Sequence, residues 1–495
     1  MSRLRTVDAA IAAGLAVVAG TVVLAFVLNS PTLDRFPDTA SYEAIADHLP
    51  SSFVSSERLP GYPLVIAFAS ILPGGRNAGL LVLQSLMAVG TVVLTFFIGR
   101  AALGSRWMAL VPAFLVATDL LMAGFARVAM SETQAVLLTT AIAAATVAFV
   151  QTPKSTHLWL LTGLMIAALL TRPEWAFLAF VLLPYMGLIM ARRGLLSRSL
   201  LTRGAASAAA VVVCVGGYSI ANLAVNDYLG MSSVVNVALL GKVMVYNMEG
   251  EAPPPYDALA PKVTAIGTAQ GPWALTDVPP FDDRNHQLEG EFARAVILHD
   301  PIHFAEHVLG TLLGSSTAYD AVFIRIQDPG TFSRQLEALL ILSEVRYRAF
   351  VIVLALAVAW SVLGLAVPPA AQRPQLLGAL GVIVLYGAVT AAAGTFDEFG
   401  RVHMPINPIS TVLIAGTLLL NAAVLLQRRL GPALLSLAAI VAEVAAILLL
   451  PGRGSSLTLF ALAAVALLQV AASWSSFTTG SRAADRQMPV PSAIH

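Results

Sequence analysis

AGLLVLQSLMAVGTVVLTFFIG, residues 78–99, runs 22 residues without a charged side chain and is closed by Arg100. At the rise of an α-helix it extends about 33 Å, enough to cross a hydrocarbon core with every backbone hydrogen bond made internally. Comparable apolar runs recur along the 495 residues, at about 9–29, 107–124, 131–150, 157–171, 174–191, 204–223, 348–366, 377–393, 404–424, 432–450 and 456–473. With 78–99 they predict about 12 transmembrane helices. Composition agrees: 57% of residues are hydrophobic and 12% charged, and the mean hydropathy is +0.79. Soluble domains carry roughly twice that share of charge, so a soluble multidomain enzyme is excluded. The fold class expected is an all-α polytopic membrane protein.

Charge sets the orientation. With the N-terminus inside, the cytoplasmic connections hold Arg3 and Arg5, Arg100 and Arg106, Lys154, the group Arg192, Arg193, Arg198 and Arg203, then Arg373, Arg428 and Arg429, and last Arg482 and Arg486. This is the positive-inside pattern, and it places both termini in the cytoplasm. The net charge of +1 provides no attraction to nucleic acid, and no nucleic-acid partner is expected. The single cysteine, Cys214, excludes an internal disulfide framework. Only three of the 29 basic residues are lysine, which suits a bacterial, high-GC coding bias and a bacterial cytoplasmic membrane. Four parts follow: a membrane module over 1–223 with a first outside loop at 30–77, an extracytoplasmic and juxtamembrane region over 224–346, C-terminal membrane helices over 347–474, and a flexible cytoplasmic tail over 475–495. After Pro60, GYPLVIAFASILPGG is apolar but too short to span, which fits an interfacial or re-entrant helix.

The polar residues with chemical potential gather at the expected outward ends of helices. In RFPDTASYEAIADHL, Asp38 has two roles open to it: accepting a proton from an acceptor hydroxyl, with Ser41 and Tyr42 orienting it, or capping the short helix that follows. Arg58, before LPGYP, is either a headgroup contact or a ligand for an anionic substrate. AGFARVAMSETQ carries Arg127 and Glu132, and LLTRPEW carries Arg172 and Glu174. Charges at such depth must be matched, either by each other as structural pairs or by a charged lipid in a cavity. TFDEFGRVHMPINP brings Asp397, Glu398, Arg401 and His403 to another tight turn, where Arg401 suits either a phosphate or a neighbouring carboxylate. In the long loop, His299, His303 and His307 repeat every four residues and, with Glu306, are weak candidates for a divalent metal; ordinary polar packing is the plainer reading. The same holds for Asp282, Asp283 and His286.

Taken together, DTASY followed by ERLPGYP, then ARVAMSE, LTRPEW and RVHMPINP resemble the GT-C superfamily of membrane glycosyltransferases, particularly protein O-mannosyltransferases and the lipid A aminoarabinose transferases. The resemblance spans most of residues 1–420. It implies a GT-C-like fold with outward-facing juxtamembrane helices, and an inverting transfer of sugar from a polyprenyl-phosphate-linked donor to an extracytoplasmic hydroxyl on a cell-envelope glycan, lipid or protein. It further implies Asp38 as the catalytic carboxylate and Arg58, Arg127, Arg172 and Arg401 as contacts to the donor phosphate; from their place in the sequence, Ser41, Tyr42, Glu132 and Glu174 are candidates for the acceptor or cavity lining. The chain departs from the common RY pattern, since Val402 and His403 follow Arg401. The rival class is a lipid or solute transporter, or flippase, that uses the same charges as a translocation path.

Overall fold

Helices account for every regular element in the computed structural model, which describes residues 2–29, 32–314, 333–394, 399–426, 430–450 and 455–485. The N-terminal part comprises α1 (Ser2–Asn29), α2 (Pro37–Asp47), α3 (Gly61–Ser70), α4 (Gly75–Leu103), α5 (Arg106–Ala117), α6 (Leu120–Phe125), α7 (Glu132–Gln151), α8 (Ser155–Thr171), α9 (Leu178–Arg192) and α10 (Arg198–Asn226). The middle region folds into α11 (Val234–Val245), α12 (Ala260–Gln270), α13 (Gln287–His299) and α14 (Pro301–Gly314). The rest comprises α15 (Ser333–Arg348), α16 (Val353–Ala366), α17 (Gln372–Gly394), the single turn α18 (Phe399–Val402), α19 (Asn407–Leu425), α20 (Leu430–Leu449) and α21 (Ser455–Asp485).

Ten helical segments among the described residues are long and apolar enough to cross a membrane. Large apolar side chains such as Val213, Ile220, Phe460 and Leu467 face outward from them, as lipid-facing residues do. α17 lies at the centre of the bundle, against α4, α7, α9, α16 and α19. The other two of the twelve expected spans are shorter helices, α5 with 12 residues and α8 with 17. The span expected at 107–124 is interrupted because Asp119 ends the first helix and caps the next. Its Oδ1 accepts hydrogen bonds from the amides of Leu121 at 2.9 Å and Met122 at 3.4 Å.

The apolar stretch after Pro60 is a 10-residue helix, α3, in line with a non-spanning segment. α14 starts at Pro301 and buries Val308, Leu312 and Leu313, while Leu309 is exposed. α21 continues to Asp485, past Ser475 where the cytoplasmic tail is expected to begin. Among the described residues there is no strand; one isolated parallel bridge joins Asp34 to Val128. That bridge fastens the loop after α1 to the turn before α7. A buried amide contact joins the last three helices: Asn421 donates to Glu443 Oε1 at 3.4 Å and to Gln469 Oε1 at 2.8 Å.

Candidate functional site

Three short loops and a turn meet at one end of the bundle because their backbones are tied to each other. The Asp34 amide donates to Arg127 O at 2.8 Å and the Ala129 amide to Asp34 O at 2.9 Å. Thr39 Oγ1 accepts from the Phe36 amide and donates to Ala129 O, each at 3.0 Å. Gln84, fully buried in α4, donates to Ala126 O at 3.1 Å and Val128 O at 3.0 Å and accepts from Tyr62 Oη at 2.8 Å. One amide side chain therefore satisfies the backbone of the ARVAMSE turn and holds α3 beside it. Gly61 packs directly on the end of α8: a β-carbon there would stand 2.6 Å from Thr171 Oγ1 and 2.7 Å from Leu170 O. That contact brings the ERLPGYP segment against LTRPEW, and with it Arg58 and Arg172.

The result is a cavity of about 420 Å³, within the usual range for small-molecule sites. One wall is ionic. Arg58 donates to Asp38 Oδ1 at 2.7 Å and, through Nε, to Ser41 Oγ at 3.0 Å, with its guanidinium 5.0 Å from the centre of the Tyr42 ring. Arg401 reaches Asp38 Oδ2 at 3.5 Å and Glu132 Oε1 at 3.3 Å. Arg172 reaches the same Glu132 oxygen at 3.5 Å and pairs with Glu174 at 2.6 Å. Arginine and carboxylate thus alternate in the order Arg58, Asp38, Arg401, Glu132, Arg172, Glu174. Apolar lining comes from Val234, Val235, Val237 and Ala238 of α11, and Trp273 also borders the cavity.

Asp38 does not cap its helix. Phe36 holds the cap position, Pro37 begins α2, and Asp38 sits in the first turn with its carboxylate turned toward the two arginines. Burial opposes its ionisation, but Arg58 and then Arg401 outweigh that cost and hold the carboxyl below the usual range for aspartate. Arg58 commits Oδ1 at short range, while among the described residues Oδ2 has the longer contact to Arg401.

Of the residues singled out from sequence, Asp38, Tyr42, Arg58, Glu132, Arg172, Glu174 and Arg401 line this cavity, and Ser41 supports Arg58 from behind. Arg127 does not line it: it is buried beside Asp34, with its Nη2 3.0 Å from Asp34 Oδ2. His299 is exposed at the end of α13, and His303 lies on α14; neither borders the cavity. Asp283 caps α13 through the amides of Asn285 and Gln287, both at 3.0 Å, and His286 lies 3.3 Å from Glu289. Asp397 and Glu398 lie outside the described residues. His403 is buried edge-on to Phe350, with ring centres 6.0 Å apart. The sequence did not point to Glu57, Thr171, Ser232 or Trp273, which also line the cavity. Ser232 Oγ donates to Glu57 O at 2.6 Å, a link between segments far apart in the chain that no local pattern announces.

No family model and no curated protein sequence matches the chain. Solved structures do. ArnT from Cupriavidus metallidurans bound to undecaprenyl phosphate aligns at 15% identity over 99% of this chain and 82% of its own, with a TM-score of 0.41. The oligosaccharyltransferase of Archaeoglobus fulgidus in its apo form aligns at 14% identity over 93% of this chain, with a TM-score of 0.45. The archaeal oligosaccharyltransferase AglB from Archaeoglobus fulgidus, in complex with an inhibitory peptide and a dolichol-phosphate, aligns at 12% identity over 94% of this chain, with a TM-score of 0.44. The chain spans 56% of the length of the archaeal structures it matches.

Proposed function

We propose that the protein is a glycosyltransferase that moves a sugar from a polyprenyl-phosphate donor to a hydroxyl of a cell-envelope glycan, lipid or protein, with inversion at the anomeric carbon. In this reading it lies in a bacterial cytoplasmic membrane with both termini inside, and the cavity opens to the extracytoplasmic side. The basic connections on the side of the termini support that orientation. The observation that carries the reaction is the asymmetric hold on Asp38: one carboxylate oxygen taken by Arg58 at 2.7 Å, the other loosely reached by Arg401 at 3.5 Å.

An acceptor hydroxyl hydrogen-bonded to Asp38 Oδ2 attacks the anomeric carbon. Its oxygen forms the new glycosidic bond, the bond from that carbon to the phosphate oxygen breaks with its electron pair on the phosphate, and the proton passes to Asp38. The leaving monoester carries more negative charge than the diester it came from. Arg401 and Arg172, which share the Glu132 carboxylate, bring positive charge to meet that growing negative charge. Glu132, 2% exposed, keeps the two guanidiniums apart and partly neutralised before substrate enters. The apolar face of α11 suits the lipid-bearing side of such a donor, and Trp273 suits a sugar ring.

The test is transfer by the purified protein from a panel of polyprenyl-phosphate sugars to a membrane extract, with product and linkage identified by mass spectrometry. Wild-type turnover by Asp38→Asn would falsify the assigned role of Asp38. Movement of an unaltered substrate across a vesicle membrane, with no product formed, replaces transfer by transport.

A further inference from the structure

Away from the cavity, the 3-10 turn Glu249–Glu251 meets the start of α14, and we propose that Glu251, Asp300 and His303 form a binding site for a divalent transition-metal ion of the zinc class. One ligand atom from each of the three lies within 4.8 Å of the others. Zinc takes imidazole nitrogen and carboxylate oxygen at roughly 2.0–2.2 Å, so a set this close gathers round the ion by small side-chain rotations. Two carboxylates match the charge of a divalent cation, and one imidazole favours zinc over magnesium or calcium.

The local hydrogen bonding points the same way. His303 Nδ1 is 2.9 Å from Glu251 Oε1, and His303 Nε2 is 3.0 Å from His307 Nε2. One hydrogen lies between the two Nε2 atoms. In the tautomer with hydrogen on Nδ1, His303 donates to Glu251; when His303 instead supplies the hydrogen between the Nε2 atoms, Nδ1 presents a lone pair toward the carboxylate and is ready to share a cation with it. His307, stacked on Tyr246 at 4.9 Å between ring centres, then fixes the orientation of the ligating ring, as outer partners of metal-bound histidines do. Glu251 Oε2 is buried and takes no hydrogen bond among the described residues, so the carboxylate has an oxygen to give. Asp300 already holds the helix start, its Oδ1 accepting the His303 amide at 2.9 Å. The His303 and Glu251 side chains are about one-third exposed, which leaves a path for an ion to enter.

The site is separate from the proposed chemistry, since none of the three residues borders the cavity. Its effect is to clamp the turn to α14. Tyr246 Oη, next to the turn in sequence, is 2.9 Å from Thr311 Oγ1 and donates to Ala392 O at 3.1 Å, two residues before Gly394 at the cavity edge. A clamped turn therefore stiffens one border of the cavity without touching substrate.

The experiment uses the full chain in detergent, stripped with a chelator and titrated with Co²⁺ and then Zn²⁺, read by cobalt ligand-field absorption, by bound metal per chain and by thermal unfolding. The expected result is one equivalent bound, a cobalt band that zinc abolishes, and a higher unfolding temperature with metal. Glu251→Gln and His303→Ala are each expected to weaken binding at least tenfold, whereas His299→Ala leaves it unchanged. Glu251→Gln retains the shape of the side chain, so it serves where His303→Ala fails to fold. Absence of stoichiometric binding by the wild-type chain, or binding that both substitutions leave intact, overturns the proposal. Loss on His299→Ala overturns this ligand set.

Discussion

Two ion-pair clusters of similar composition behave differently in this fold. In the cavity, Asp38 is 28% exposed, one of its oxygens is reached among the described residues at 3.5 Å, and Arg401 is shared between two carboxylates. Around Asp119, by contrast, both partners are sealed, with side chains 3% and 4% exposed. Asp119 pairs with Arg346, caps α6, and accepts from Tyr347 Oη at 3.3 Å, and that hydroxyl accepts in turn from Asn407 at 3.0 Å. Arg346 also donates to Leu115 O at 3.2 Å and lies 4.4 Å from the Tyr347 ring centre. The lesson is in how many bonds each charge already makes. A carboxylate saturated by fixed donors holds helices together, whereas one with a loosely held oxygen is available to a substrate.

The strongest way to break this contrast is Asp38→Asn. The side chain keeps its size and loses its capacity to take a proton, so turnover falls about 10²–10⁴-fold while thermal unfolding stays close to wild type. A large drop in stability instead would make Asp38 another structural knot. The converse substitution is Arg346→Met, which leaves the Asp119 charge buried. Unfolding in detergent then loses about 3–5 kcal/mol, with transfer per folded molecule unchanged, and removing Asp119 as well recovers part of the loss. Arg401→Gln lies between these: it removes a donor to the leaving phosphate, and kcat falls about 10²–10³-fold, more than KM changes. Gly61→Ala is smaller. The added carbon presses on the backbone at Leu170, costs about 1–3 kcal/mol of stability, and shifts Arg58 relative to Arg172, to be seen as a rise in KM for the donor.

The contrast also marks what could be foreseen from the chain. Long apolar runs announce membrane helices because lipid demands internal backbone hydrogen bonding whatever the tertiary contacts. Charged residues beside those runs announce a polar end of the bundle, and seven of the residues chosen from sequence do line one cavity. Their pairing was not foreseeable. Arg127 resembles Arg58 and Arg172 in local sequence, yet the bridge between Asp34 and Val128 brings it to Asp34 and away from the cavity. Asp119 lay inside an expected span, because its partner Arg346 is more than two hundred residues distant and only the fold brings them together. Likewise His303 meets Glu251 across the segment that holds α12 and α13, while His299 ends α13 and is exposed.

The finest discrimination comes from pH. Arg58 and Arg401 hold the Asp38 carboxyl below its ordinary value of 3.8, against the burial that would raise it. A depressed folded-state value means that the ionised form contributes stability above the unfolded value and that this contribution is lost as pH falls through the folded one. Between about pH 7 and pH 5, therefore, Asp38 remains ionised and imposes no acid limb on kcat. In Arg401→Gln one of the two opposing charges is gone, burial counts for more, and the acid limb of the residual activity moves to higher pH. A pH–rate profile of wild type and Arg401→Gln measures this directly. An unmoved limb would mean that Arg401 does not act on Asp38 at all, and that the alternation of charge along the cavity wall is packing of the kind found at Asp119.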